Sequence, residues 1–370
     1  MSMENSKKFK ILTITTSGLK KREGISTIIL DYYSYFDKKK YQLDLVASGE
    51  YDSSYVHEFE KKEINIKKLP SRKKNLLKYI YKLAKLMKEE RYDALYIHGS
   101  SAIMSIELYL AKILGCSVRV VHSHNTTCDH KRLDKILRPV FYKGYTKALA
   151  CGESAGRWLF EKHDFEVIKN GRDISKYEYN EQKRVKCRKK LNLDDSTLAI
   201  GHVGNFNTQK NQEFLLRVLK ELIKENKKVK MYLMGDGDMR KYIEVLSKKL
   251  GLSDYICFTG SISNVPEMLQ AMDMMLLPSK HEGLPLVVIE WQIAGLPCII
   301  SDVVTRECAY MDYVYFLSLD KESDWKNKII EVGRRDRKES DSLIYTNTQK
   351  NGYDLQKNID ILQKCFLKDF

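Results

Sequence analysis

The sequence predicts an α/β protein made of two Rossmann-like domains in tandem. Short β-branched runs alternate with helical patterns, the signature of parallel strands covered by helices on both faces. The alternation starts afresh near residue 197. With 370 residues and 43% hydrophobic content, the chain is long enough for two cores of ordinary size.

In the first half the strand candidates are "FKILTIT", "YQLDLVAS", "ALYIHG", "VRVVHSH", "KALACG" and "EVIKN". Gly24 opens a helix over residues 24–36. Residues 61–90 place basic side chains ahead of an amphipathic helix carrying Leu76, Leu77, Ile80, Leu83 and Leu86. This pattern fits a solvated helix of an α/β domain, and it also fits attachment to an anionic membrane surface. The stretch "SKYEYNEQKRVKCRKKLNLDDS" is charged and has no strand pattern, which puts a hinge near 174–195.

The second half offers "TLAIGHVG", "VKMYLMG", "YICFTG", "MMLLPS" and "CIISD" as strands. Leu215, Leu219, Leu222 and Ile223 recur near a 3.6-residue period in a helix over 210–225. "GDGD" at 235–238 reads as a turn before a helix at 239–250, with Asp238 as N-cap. Pro285 suits the first turn of a helix and Gly295 the position just past its end, so a helix runs from about 285 to 294. The last segment is a helix with Leu355, Ile359, Leu362 and Phe366 on one side, which needs a surface to dock on. The domains expected are therefore 1–180, 181–347 and a docking helix at 348–370.

Composition narrows the function class. Glu107 and Lys112 interrupt the most apolar stretch, so no run approaches the roughly 18 apolar residues of a membrane span. The amino terminus has no secretory pattern, and eight cysteines are scattered without a C-x-x-C pair, so the reading is a cytoplasmic protein with reduced thiols. The net charge of +15 divides into +12 for residues 1–180 and +3 for 181–370. The amino-terminal half is the part suited to anionic partners.

"HEGLPLVVIE" at 281–290 sets Glu282 just before the helix and Glu290 five residues beyond Pro285, about 7–8 Å along the axis. Between them lie free backbone N–H groups and the positive end of the helix dipole, where a diphosphate fits. A nucleotide-sugar has this layout, with a sugar at one end and ribose hydroxyls at the other. Taken alone, the spacing equally fits two surface glutamates beside an amphipathic helix.

The stretch "LPSKHEGLPLVVIEWQIAGLPCIISD" closely resembles the E-x7-E segment of glycosyltransferase family 4, retaining enzymes of the GT-B fold. "VIKNGRD", "GHVGNFNTQKNQEFLL", "YLMGDGD" and "FTGSISNVPEML" agree with it in order, and the general pattern is most similar to enzymes building bacterial capsular and extracellular polysaccharides. The resemblance implies two Rossmann-like domains facing across a cleft and a final helix crossing back to the amino-terminal domain. It also implies retaining transfer from a nucleotide-sugar, with UDP as the default, to a glycan or polyprenyl-pyrophosphate-linked acceptor. No metal or other cofactor is implied.

By the same resemblance, Lys210 faces the donor diphosphate, where an ammonium meets the charge that grows on the leaving phosphate. The family's arginine five residues earlier is Asn205 here, and the first of its amino-terminal glycine pair is Glu23, with Gly24 as the second. Glu282 orients the sugar, Glu290 binds the ribose, and His124 lies against the sugar from the other domain. Further donor contacts fall at Gly204, Ile262, Gly283, Leu284 and Leu286, with Ile262 beside the base. The catalytic candidates are Glu282, His124 and Lys210.

Three other readings compete with this one. His122, His124, Cys128 and His130 are residue types that suit zinc but lack a recognised finger spacing. The positive charge and 23 tyrosines would suit nucleic acid, yet no recognised motif supports it and no nucleic-acid partner is expected. Asn205 and Glu23 make a catalytically degenerate partner subunit conceivable. Apart from membrane-face docking, a cytoplasmic location is expected.

Overall fold

The computed structural model describes residues 7–16, 18–19, 24–49, 51–225, 228–337 and 341–367. Glu23 lies outside them. The chain divides into two compact units, one of Met1–Gly171 with Leu355–Phe370 and one of Arg172–Asp354.

The first unit alternates β1 (Phe9–Thr15), α1 (Gly24–Ser34), β2 (Tyr41–Ser48), α2 (Ser53–Glu60), β3 (Asn65–Leu69), α3 (Leu76–Glu90), β4 (Ala94–Gly99), α4 (Ser105–Ile113), β5 (Val118–Ser123), α5 (Lys131–Phe141), β6 (Lys147–Ala150), α6 (Glu153–Phe160) and β7 (Glu166–Val167). The strands form one parallel sheet in the order β3-β2-β1-β4-β5-β6-β7. Its central strands are buried on both faces, so even the polar side chains of β5 (VRVVHS) are buried. β3 escaped the sequence reading because it is a half-exposed edge strand with two lysines among five residues.

The second unit contains α7 (Ile174–Tyr177), α8 (Glu181–Lys190), β8 (Leu198–Val203), α9 (Gln212–Glu225), β9 (Val229–Met234), α10 (Arg240–Lys249), β10 (Ile256–Gly260), α11 (Val265–Ala271), β11 (Met274–Leu277), α12 (Leu286–Ile293), β12 (Cys298–Ser301), β13 (Val314–Leu317), α13 (Glu322–Val332) and α14 (Asp341–Lys350). Its parallel sheet has the order β10-β9-β8-β11-β12-β13. Apolar side chains on its two faces build two clusters, one around Trp291 and one around Phe214 and Trp325. The remaining helix, α15 (Leu355–Phe366), belongs to the first unit.

The boundaries differ from the sequence expectation at both ends. The units part at Gly171/Arg172 and Asp354/Leu355 rather than at 180/181 and 347/348. The predicted hinge at 174–195 is largely helical. α8 has no apolar stripe because ion pairs dock it: Arg184 and Arg188 reach Asp273 at 2.5 and 3.2 Å, and the Asn180 amide donates to Gln270 Oε1. Such a helix leaves no hydrophobic periodicity to read.

α15 docks as its pattern predicts, with Leu355, Ile359, Leu362 and Phe366 all at most 2% exposed. Phe366 packs edge-on against Phe36 and Tyr96, and Asn358 donates to the Lys169 carbonyl at 2.8 Å. A Cβ on Gly171 would come within 2.8 Å of the Leu355 backbone, so only glycine admits the helix there.

Candidate active site

In the second sheet the strand order reverses between β8 and β11, and the loops leaving the carboxyl ends of these two strands frame the crevice where open α/β sheets hold ligands. Hydrogen bonds join the loops. Lys280 N–H donates to the Gln209 carbonyl (2.8 Å), Gln209 Nε2 to the His281 carbonyl (2.9 Å) and Asn211 Nδ2 to the Pro278 carbonyl (3.2 Å).

A third loop supports the first. Phe206 N–H donates to the Asp236 carbonyl and Met239 N–H to the Phe206 carbonyl. Cβ atoms on Gly235 and Gly237, both at positive φ, would meet Gly204 O at 2.0 Å and Asn205 Oδ1 at 2.3 Å, so the glycines of "GDGD" exist to let the loops approach. This segment is a turn, as expected. Asp238 is not the N-cap, however: α10 starts at Arg240 with Met239 before it, and Asp236 Oδ1 accepts the Gly237 N–H at 2.8 Å.

This frame brings Lys210 to Glu282. The Asn207 carboxamide accepts the Lys210 amide (2.9 Å), Lys210 Nζ donates to Glu282 Oε1 (2.6 Å), and the side chains are 16% and 10% exposed. Gly204 gives the lysine stem room, since a Cβ there would lie 3.2 Å from Lys210 Cδ. Below it His202 is fully buried, its Nδ1 donating to the Leu276 carbonyl, and burial pulls its pKa down to about 4. Asn205 is exposed, with its carbonyl accepting Gln212 Nε2 at 2.9 Å.

α12 begins one residue later than expected because Pro285 sits at the cap position with φ −75° and ψ 98°, and it ends one residue earlier, at Ile293 before the Ala294 cap. Gly295, at φ 68°, ends it as predicted. Glu290 is no surface residue. It is 9% exposed and accepts Arg172 Nε at 2.8 Å. Gln292 ties the helix to the following loop by accepting the amides of Tyr310 and Met311. Leu284 and Ile262 are half-buried against the Trp291 cluster, and Leu286 opens the helix half-buried. Gly283 is exposed, and a Cβ there would meet nothing within 4 Å.

Gly24 and His124 lie in the first unit, where they share the lining of a cavity of about 590 Å³ with Thr16, Cys128 and His130. A Cβ on Gly24 would also find open space. Beside this cavity Tyr96, His98 and His122 share one face of the sheet, since alternate residues of β4 and β5 point the same way, and His124, just past the end of β5, stacks on His98. His98 Nδ1 and His124 Nε2 lie 2.8 Å apart and share a proton, and the Tyr96 hydroxyl meets His122 Nδ1 at 2.6 Å. Burial holds all three imidazoles neutral, with His98 and His122 well below their ordinary pKa and His124 at about 3.

Among the described residues these three histidines are the one group whose ligand atoms, all within 4.8 Å of one another, could hold a metal. The partner the structure supplies to His122 and His124 is thus His98, not Cys128 or His130. His98, in the strand candidate "ALYIHG", faces His122 in strand register. His124 also turns both nitrogens inward, Nε2 to His98 and Nδ1 buried, so its carbon edge lines the cavity. Arg172 is the other site residue missed, because nothing in "NGRD" indicates that its side chain reaches α12.

Known proteins resemble this chain along most of its length. Residues 22–176 match the model for Glycosyltransferase Family 4 and residues 183–346 that for Glycosyl transferases group 1. EpsF of Bacillus subtilis (strain 168), itself named a glycosyltransferase, is 30% identical over 378 residues, covering 98% of this chain and 97% of its own. The UDP-Gal:alpha-D-GlcNAc-diphosphoundecaprenol alpha-1,3-galactosyltransferase of Escherichia coli is 22% identical, with 93% of each chain covered. Among solved structures, Anabaena HepE in complex with UDP superposes with a TM-score of 0.75 at 17% identity, covering 96% and 98% of the two chains. A glycosyltransferase from Rickettsia africae reaches 0.76 at 17% identity, covering 98% and 100%.

Proposed function

Because the chain belongs to glycosyltransferase family 4 and has the GT-B fold, we propose that it transfers a sugar, with retention, from a UDP-sugar to a lipid-linked glycan in cell-surface polysaccharide synthesis. The observation that carries this reading is the Lys210–Glu282 pair, 2.6 Å apart and three residues ahead of the Pro285 cap of α12. An ammonium, a carboxylate and a helix amino terminus in one place match a sugar bonded to a diphosphate.

In the proposed reaction, Glu282 Oε1 stays on Lys210 while Oε2 takes a sugar hydroxyl. Lys210 has three N–H donors and turns the others to the leaving phosphate. The amides of Leu286 and Val287 face the same diphosphate from the first turn of α12. The acceptor oxygen bonds to C1 of the sugar on the face from which the diphosphate departs, the C1–O bond to phosphate breaks, and the acceptor's proton moves to the departing phosphate oxygen. No side-chain base is needed, and with lysine and helix meeting the diphosphate, no metal is required in the step.

Glu290 takes a ribose hydroxyl, Ile262 lies beside the base, and Leu284 and Leu286 pack against the nucleotide. Gly204, Asn205 and Gly283 keep their loops close to the donor. The acceptor class follows that of the Escherichia coli relative, whose name specifies a diphosphoundecaprenol-linked substrate.

A lipid-linked acceptor places the protein at the inner membrane face. No helix among the described residues is long and apolar enough to cross a membrane. α3 leaves Leu77 82% and Tyr81 66% exposed among lysines, an arrangement suited to acidic headgroups at about 1 kcal/mol per basic residue.

Thermal stabilisation by UDP-, GDP-, ADP- and TDP-sugars in the presence of EDTA tests the donor. A shift confined to the UDP series, and lost in Lys210→Ala, is expected. No shift with any nucleotide would overturn the donor site and favour a degenerate subunit. A shift that appears only with added divalent metal would overturn the metal-free step.

A further inference from the structure

Arg172 has no part in the reaction as set out above. Its amide donates to the Tyr353 carbonyl at 2.8 Å, and the residue forms a parallel bridge with Asp354, so its backbone is held. From there the side chain reaches α12, where Nε donates to Glu290 Oε1 at 2.8 Å. The two side chains keep only 6% and 12% of their surface. At that burial each charge needs a partner, and each residue supplies one to the other.

Glu282 repeats the arrangement. The two carboxylates that flank the amino terminus of α12 each arrive with a cation from a different segment, Lys210 from the loop after β8 and Arg172 from the start of the unit. Without these cations a diphosphate would face two negative charges at the helix end that is to bind it. With them the side-chain charges cancel, and the helix dipole and first-turn amides are left to attract the phosphates. Asn205, exposed at the mouth of β8, adds no charge.

We propose that Arg172 is a donor-positioning residue, which holds Glu290 ionised and in one orientation for the ribose and cancels its charge beside the diphosphate. This builds on the donor site proposed above. A guanidinium suits the task better than an ammonium, since its planar fork fixes the carboxylate's direction as well as its charge.

Calorimetric titration of the full chain with UDP and with uridine tests the role. Arg172→Leu is expected to weaken UDP binding at least tenfold and uridine binding several-fold less, because the diphosphate alone feels the unmasked carboxylate. Arg172→Lys should recover part of the loss. Arg172→Leu/Glu290→Gln, which removes both charges of the pair, provides a folded reference if the single variant unfolds. It should bind UDP more tightly than Arg172→Leu where both fold, yet more weakly than the parent through the lost ribose contact.

Unchanged UDP affinity in folded Arg172→Leu, or in the double variant where the single one unfolds, would overturn the inference while leaving the donor site intact. So would equal losses for UDP and uridine, which would leave Arg172 no charge-cancelling role beside the diphosphate. Failure of the parent protein to bind UDP would remove the donor site and this inference with it.

Discussion

Cutting Lys210 back to alanine separates the stability of the site from its chemistry. The ammonium lies 2.6 Å from Glu282, and the pair keeps 16% and 10% of its surface. Removing one partner of a buried pair costs about 3–5 kcal/mol. The residual exposure lets Glu282 recover some hydration, which brings the expected loss to roughly 2–3 kcal/mol. In a unit of this size that lowers Tm by about 5–10 °C. Glu282→Ala should cost less, about 1–2 kcal/mol, because the lysine stem can carry its charge to water. The double variant should lose less than the sum of the two, with a coupling of about 1–2 kcal/mol. Urea unfolding of the four proteins measures that cycle, and donor turnover on the same samples measures function. Lys210→Ala should lower kcat by about 10²–10³-fold, the usual loss for one preorganised donor at a developing charge. Glu282→Ala should abolish transfer with the fold intact. A coupling below about 0.3 kcal/mol would refute the pair, and near-normal turnover in folded Glu282→Ala would refute its hold on the sugar.

Glu290→Gln is expected to raise the donor KM with little change in kcat, since the ribose contact is made equally in ground and transition states; an unchanged KM would remove Glu290 from the site. Asn205→Arg adds a guanidinium at an exposed position and should tighten UDP binding several-fold, whereas weaker binding would show that the β8 loop has no room for it. Gly237→Ala should destabilise by about 2–3 kcal/mol, because its Cβ would meet Phe206 O at 2.5 Å, and a wild-type melting curve would contradict the loop packing. The acid sensitivity of the fold follows from His202. Its pKa falls from the ordinary 6.5 to about 4 in the folded state, so the unfolded chain binds the proton first and stability is lost as pH drops through that window. At pH 5 this histidine alone costs about 2 kcal/mol relative to pH 7, and equal stability by urea unfolding at the two pH values would refute its burial as neutral imidazole.

Much of the architecture was open to reading because parallel strands buried on both faces leave apolar runs that sequence alone displays. β1, β2 and β4 match "FKILTIT", "YQLDLVAS" and "ALYIHG" residue for residue. Elements held by other forces escaped. β3 is an edge strand carrying lysines, and α8 is fastened by arginines to Asp273, so neither shows a hydrophobic period. The boundary at 171/172 was placed late for the same reason, because a charged segment that folds by ion pairing looks like a linker.

At the site, the sequence by itself determined the residue types and their order along the chain. Glu282 and Glu290 flank a helix start that Pro285 and Gly295 punctuate, Lys210 follows the first strand of the second domain, and glycines stand where loops must meet. These are local properties, set by backbone conformation and by spacing along one segment. Only the tertiary structure decided the partners. It joined Lys210 to Glu282 across 72 positions and Arg172 to Glu290 across 118, and it turned both His124 nitrogens inward. A charge pair depends on distance in space and on exclusion from water, and both arise when strands from separate segments line up in one sheet.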